Sequence, residues 1–139
     1  MSRFVPLGRL FFAISLGAFG ILQFIYHDFV PGRGPAWPAQ IPGRLVWAYV
    51  SGAALIAASA AIISRKQARS AAIVSGTMIF LWVVLLHIPR AASNLYDSRN
   101  EWTAVFEALA FSGLALLLSG AVPGQERAPA AKRAYARAG

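Results

Sequence analysis

A chain of 139 residues with 58% hydrophobic and only 13% charged residues is too apolar for a soluble domain, because soluble proteins carry about 25% charged residues. The formal net charge of +8 comes from basic residues clustered beside apolar runs, which is typical of orientation in a membrane and not of a nucleic-acid surface. The absence of cysteine excludes disulfides, thiolate metal sites and cysteine nucleophiles.

Four apolar runs predict four transmembrane helices, at about residues 7–26, 45–64, 70–89 and 102–122. Each has about 20 residues, which is the helical length that crosses a hydrocarbon core of about 30 Å. Helix is the structure that a separate span adopts in lipid, because it satisfies its backbone hydrogen bonds internally. The predicted fold class is therefore all-α, a four-helix transmembrane bundle over residues 1–123.

The first run begins after Arg3 and Arg9, and its start therefore resembles that of a signal peptide. It ends in the bulky sequence Phe24–His27, however, where a signal peptide would carry small residues for cleavage. We therefore predict that the first run is retained as a membrane-spanning helix.

The charges of the loops predict the orientation of the helices. Basic residues without acids precede the first run and occupy the turn Arg65–Arg69, whereas the loops after the first and third runs mix both signs. Because basic loops stay on the cytoplasmic side, both termini and the Arg65–Arg69 turn are predicted to be cytoplasmic.

The connection His27–Gly43 contains four prolines, which disfavour helix and strand, and it is predicted to cap the outer mouth of the bundle. Residues 124–139 are rich in alanine and basic residues and have no apolar period. They are predicted to form a disordered basic tail that touches anionic lipid.

Residues at alternating three- and four-residue spacing predict the inward faces of the first, third and fourth helices, and the second contributes the small residues Ala48, Gly52 and Ser59 for close helix contact. On the first helix they are Arg9, Ala13, Leu16, Gly20, Gln23 and His27. On the third they are Gly76, Phe80, Val83 and His87. On the fourth they are Thr103, Glu107, Ala110, Leu114, Leu117 and Ala121.

Polar side chains inside a bilayer are costly, so each of them is a candidate functional residue. Six of them, contributed by all four helices, lie near the outer ends of the runs. They are His27, His87, Glu107, Gln23, Tyr49 and Arg44. We expect His27, His87 and Glu107 to face one shared pocket in the outer half of the bundle, with the other three nearby.

The chemistry of these six residues leaves several interpretations open. Hydrogen-bonded polar groups commonly join membrane helices, so a purely structural role is one of them. A carboxylate near two imidazoles can also exchange protons with a small apolar or redox ligand, for which a quinone-like molecule is the expected class. Haem or a metal ion is disfavoured, because the residue spacing of such sites is missing. Phosphate-binding and nucleophile motifs are missing too, so no catalytic residue and no stand-alone enzyme is predicted.

Several short motifs over about residues 8–120 carry a family resemblance. They are Gly8-Arg9-Leu10, Phe19–Phe24, Ile41-Pro42-Gly43, Trp47-Ala48-Tyr49 with Gly52, Leu86–Pro89, and Trp102 with Phe106-Glu107. By these motifs the chain resembles the DoxX-like family of small four-helix bacterial membrane proteins, which is named after the small membrane subunit of a thiosulfate:quinone oxidoreductase. The resemblance implies a multi-pass protein of the bacterial inner membrane with an accessory role in redox chemistry beside a partner subunit. It supplies no catalytic residues.

The function predicted from the sequence is therefore that of a DoxX-like membrane protein that binds a quinone-like ligand in an outer-half pocket. A small-solute transporter or channel and a purely structural membrane scaffold are the alternatives. Transport requires a continuous polar path, whereas the polar residues fill only the outer half of the predicted bundle.

Overall fold

The computed structural model describes residues 4–31, 33, 37, 41–93 and 99–121. It contains four long helices, α1 Phe4–Tyr26, α2 Arg44–Ile63, α3 Ala68–Ser93 and α4 Arg99–Ala121. Each is long and apolar enough to cross a membrane, and the described residues form no strand. The predicted all-α four-helix transmembrane fold is thus confirmed, and the chain is a multi-pass membrane protein. The predicted tail, residues 124–139, lies outside the described residues.

Helix α1 packs mainly on α2, and small residues let the two backbones approach closely. A Cβ atom added at Gly20 would lie 2.6 Å from the carbonyl oxygen of Gly52. About two turns away along the same contact, Ser59 Oγ donates a hydrogen bond of 2.7 Å to the Ala13 carbonyl oxygen. Small residues and serine hydroxyls are the usual means of joining helices in lipid, so α1 and α2 form a tight pair.

Helices α3 and α4 form a second pair by the same means. Ser112 Oγ donates a hydrogen bond of 2.9 Å to the Gly76 carbonyl oxygen, and a Cβ atom at Gly76 would lie 2.9 Å from the Ala115 Cβ. The two pairs meet mainly through α2 and α3, whereas α1 and α4 hardly touch. An apolar core joins them, made of Phe12, Ala13, Leu16, Leu55, Ile62, Ala72, Ile79, Ala115 and Leu118.

A four-residue turn, Ser64–Gln67, connects the two pairs. Within it, Arg65 and Gln67 have φ angles of 59° and 60°, in the left-handed region that costs about 1–2 kcal/mol for a residue with a side chain. We call this end of the bundle the turn end, and the opposite end, which carries the described residues of the connection between α1 and α2, the loop end.

Helix α3 contains a π-helical turn, Val83–His87, in which the Ile88 N–H donates to the Val83 carbonyl oxygen. The sequence predicted that the third helix ends at residue 89, but it continues to Ser93. Pro89 has no N–H and its ring crowds the preceding turn, and the wider π turn lies in that preceding segment.

The π turn also keeps one face of α3 inward. The buried residues in the second half of α3 are four residues apart, at Ile79, Val83, His87 and Ala91. In a regular α-helix each such step would drift by about 40° around the axis. A π turn takes more residues per turn and offsets this drift. Phe80, expected to face inward, is exposed.

The predicted inward face of α4 is wrong. All six residues of that stripe, Thr103 to Ala121 and including Glu107, are exposed. The buried face carries Ser112, Ala115 and Leu118 instead. Small residues permit the close contact with Gly76, whereas leucines facing lipid cost nothing, so the apolar period did not distinguish the two faces.

The described part of the 27–43 loop packs on the loop end of the bundle. Phe29 is buried, stacks on Trp37 at 5.8 Å between ring centroids and meets Trp82 of α3 edge to face at 6.2 Å. Asp28 forms an ion pair of 2.6 Å with Arg44 at the start of α2. The loop therefore contacts both helix pairs.

Candidate functional site

A cavity of about 70 Å³ lies between the helices beneath the loop. All four helices and the loop contribute to its wall. The lining residues are Leu16, Phe19, Gln23, Arg33, Leu55, Ile79, Trp82, His87, Ala108 and Phe111. The wall is mainly apolar and aromatic, with three polar side chains, which is the usual composition of a site for a small organic ligand.

His87, at the end of the π turn, is one of the polar side chains in the wall. It is only 3% exposed, and it lines the cavity from α3. An imidazole has one N–H donor and one acceptor when neutral. The His87 ring can therefore present a donor or an acceptor to a molecule in the cavity.

Gln23 lines the cavity from α1 and is 1% exposed. Its Oε1 accepts a hydrogen bond of 2.7 Å from Ser51 Oγ on α2. This bond fixes the orientation of the amide beside the cavity. Gln23 thus supplies an oriented N–H donor next to the cavity.

Gln23 and His87 occupy corresponding places in the two helix pairs. Gln23 follows Ala13 by ten residues and His87 follows Gly76 by eleven. Ala13 and Gly76 are the residues whose carbonyl oxygens accept the interhelical serine bonds. The π turn accounts for the additional residue in α3. The cavity therefore lies at the seam between two similar helix pairs and receives one buried polar side chain from each.

The other four candidate residues lie outside the cavity wall. His27 is exposed at the end of α1, and its Nδ1 lies 2.6 Å from the Tyr49 hydroxyl. Arg44 is held by Asp28. Glu107 faces outward from α4 and pairs with Arg33 at 3.2 Å.

The structure therefore brings together Gln23 and His87 but not all six predicted residues, and the expectation that His27 and Glu107 share the pocket of His87 is not met. His27 has a left-handed φ of 51° immediately after α1 ends at Tyr26, so the chain turns away from the helix face that carries Gln23. Glu107 belongs to the outward stripe of α4. Ligand binding by any of the six residues stays a prediction.

Sequence reasoning missed Arg33, Trp82 and Phe111 in the cavity wall. Arg33 is one of the mixed charges of the loop after the first run, and the sequence does not indicate that it reaches the helices. Trp82 and Phe111 carried no signal, because apolar residues on both faces of a membrane helix look alike.

We expect Glu107→Gln to change the free energy of unfolding by about 1 kcal/mol or less, because ion pairs this exposed contribute about 0–1 kcal/mol. The two side chains are 42% and 47% exposed. Unfolding in mixed micelles of increasing denaturing detergent measures the change, and Arg33→Gln should give a similar value. A loss above about 2 kcal/mol, beyond the range for exposed pairs, would contradict this.

Among the described residues, no group of three or more histidine, cysteine, aspartate and glutamate side chains could hold a metal ion. No protein-family model, curated protein or solved structure significantly matches the chain. Function is therefore inferred from the side chains around the cavity.

Proposed function

We propose that this membrane protein binds a quinone-like molecule in the cavity between its helix pairs, in an accessory role in membrane redox chemistry. The observation that supports this proposal is the presence of His87 and Gln23, two buried polar side chains, in an otherwise largely apolar wall. A quinone presents carbonyl oxygens on a flat apolar ring. Imidazole and amide N–H groups donate to such oxygens, while Trp82 and Phe111 offer apolar contact to the ring.

The size of the cavity limits how such a ligand would bind. A volume of 70 Å³ corresponds to about two water molecules at roughly 30 Å³ each. Only a carbonyl-bearing edge of the ring fits beside His87 and Gln23 without movement of the wall. The cavity is partly open, so the remainder of the ring would lie against its aromatic rim.

The DoxX-like resemblance supports the redox role and suggests a partner subunit, since the family takes its name from a small subunit of a quinone-linked oxidoreductase. The same resemblance supports a location in a bacterial inner membrane. The basic turn end, with Arg65, Lys66 and Arg69, supports a cytoplasmic position for both termini.

A transporter is less well supported than a binding protein. Towards the turn end the cavity is followed by the apolar core, including Phe12, Leu16 and Ile62. A polar solute crossing the bundle would have to pass these side chains without hydrogen-bond partners, which is costly in a low-dielectric interior. The core therefore favours a site that is closed towards this end.

We expect His87→Phe to weaken the binding of a short-chain quinone about fivefold or more, because the ring volume is kept and the hydrogen-bonding nitrogens are lost, and a hydrogen bond contributes about 1 kcal/mol. Quenching of tryptophan fluorescence in micelles measures binding, since Trp82 lines the cavity. His27→Phe, at the exposed histidine outside the cavity, is the matched control and should keep the affinity.

Equal affinities of the His87→Phe and wild-type proteins would contradict the proposed site. Absence of saturable quinone quenching in the wild-type protein, with folding intact, would leave the scaffold role instead.

A further inference from the structure

A groove of about 410 Å³ separates α1 from α4 at the turn end of the bundle. We propose that this groove binds one anionic phospholipid, with an acyl chain along the groove and the phosphate at Arg9. The groove is distinct from the proposed quinone cavity, although Phe111 borders both. Its lining includes Gly8, Arg9, Phe12, Leu114, Leu117 and Leu118.

The groove exists because α1 and α4 barely contact each other and because Gly8 leaves its side open. A Cβ atom added at Gly8 would meet nothing within 4 Å. Leu114 and Leu117 of α4 are exposed along the groove. In a bilayer this apolar surface faces lipid chains, so the groove is shaped for a hydrocarbon chain and not for a polar solute.

The length of the groove matches one leaflet. Its wall extends from Val5 to Ser15 on α1 and from Phe111 to Ala121 on α4. Ten residue steps at about 1.5 Å give about 15 Å, which is half of a hydrocarbon core of about 30 Å. A single acyl chain from the leaflet at the turn end therefore spans the groove.

Arg9 supplies the preference for an anionic headgroup. Among the described residues it is the one charged side chain in the groove wall. It is partly buried and forms no ion pair with any of those residues. Its Cα lies four residues inside Val5, and a long arginine side chain reaches from such a depth to the headgroup level. A phosphate without a compensating headgroup cation complements this charge.

Native mass spectrometry of the full chain, with equal amounts of phosphatidylglycerol and phosphatidylcholine carrying the same acyl chains, tests the proposal. We expect the wild-type protein to retain phosphatidylglycerol about fivefold more, the ratio that one basic residue near an anionic surface contributes. Arg9→Gln should remove this preference, and Arg9→Lys should keep most of it.

A second pair of variants tests the groove itself. Gly8→Leu fills the open space and should abolish retention of both lipids. Leucine is a better helix former than glycine, so the helix itself is not weakened. Gly113→Leu is the matched control, because its Cβ also meets nothing within 4 Å and Gly113 lies outside the groove wall; it should retain phosphatidylglycerol like the wild type.

Equal retention of the two lipids by the wild-type protein would overturn the proposal, as would a Gly8→Leu protein that retains phosphatidylglycerol. If a long-chain quinone displaced phosphatidylglycerol from the wild-type and Arg9→Gln proteins equally well, the groove would instead be assigned to a quinone tail. Loss of a dimer in Gly8→Leu would assign it to a second copy of the chain. Quinone quenching in the Arg9 variants separates this proposal from that of the cavity, since Arg9 is not in the cavity wall.

Discussion

Gly20→Ala is expected to lower the free energy of unfolding by about 3 kcal/mol, the upper part of the range for overpacked cores. The added Cβ would lie 2.6 Å from the Gly52 carbonyl oxygen and 2.7 Å from Ile56 Cγ1. The first of these atoms belongs to the backbone of α2, so relief of the overlap requires α1 and α2 to separate. Separation would also lengthen the bond from Ser59 Oγ to the Ala13 carbonyl oxygen, now 2.7 Å.

Gly113→Ala is the control for this prediction. No atom lies within 4 Å of its added Cβ, and alanine is favoured over glycine in a helix by about 1 kcal/mol. We therefore expect unchanged or higher stability from this variant. Both proteins are compared by detergent-induced unfolding, and a Gly20→Ala protein as stable as the wild type would contradict the close approach of α1 and α2.

Pro89→Ala is expected to let the π turn of α3 relax to a regular α-helix and to rotate His87 out of the cavity wall. With 3.6 residues per turn, His87 would lie about 80° around the helix axis from Ile79. We expect a loss of quinone affinity of about tenfold, together with greater modification of His87 by a histidine-specific acylating reagent. The second readout does not depend on the proposed ligand.

Modification is measured by mass spectrometry of peptides after digestion. The exposed His27 should react equally in all variants and serves as the internal reference. Pro42→Ala, outside the helices, is the matched proline control and should leave His87 protected. If His87 stayed protected in Pro89→Ala, the packing of the imidazole, and not the proline, would hold the wide turn.

The number of helices and their approximate bounds could be predicted from the sequence, because the thickness of a bilayer dictates about 20 apolar residues per span. Helices α1 and α4 begin three residues before the predicted starts, where the surroundings change from lipid to water and apolar content gives no sharp limit. The continuation of α3 past Pro89 was not predictable in this way, since it depends on a π turn that no apolar run reveals.

The inward faces were predictable only where small residues marked them. On α1 the predicted stripe contains Ala13 and Gly20, and both are buried with Gln23. On α4 the predicted stripe included Leu114 and Leu117, which are exposed, and the true contact is made by Ser112 and Ala115. In a soluble protein the leucines would mark the face of the helix that packs inward. In a membrane a leucine is equally well accommodated facing the lipid or the bundle, so it does not mark that face.

The candidate site was partly predictable for the same reason. Gln23 and His87 are polar groups at membrane depth and stand out in the sequence. Arg33 reaches the cavity because the loop folds back over the helices. The sequence does not show which way the loop runs. Glu107 was expected to share a pocket with the two histidines, but its carboxylate pairs with Arg33 instead.

The short turn Ser64–Gln67 has a mechanical consequence for the molecule. It joins the two helix pairs at the end remote from the cavity, and with four residues it allows only a small separation of α2 and α3 there. If the two helix pairs move relative to each other, we expect them to rotate about this turn, with the largest displacement at the loop end. Gln23 and His87 belong to different helix pairs and lie towards the loop end, so such a motion would increase the distance between them and open the cavity.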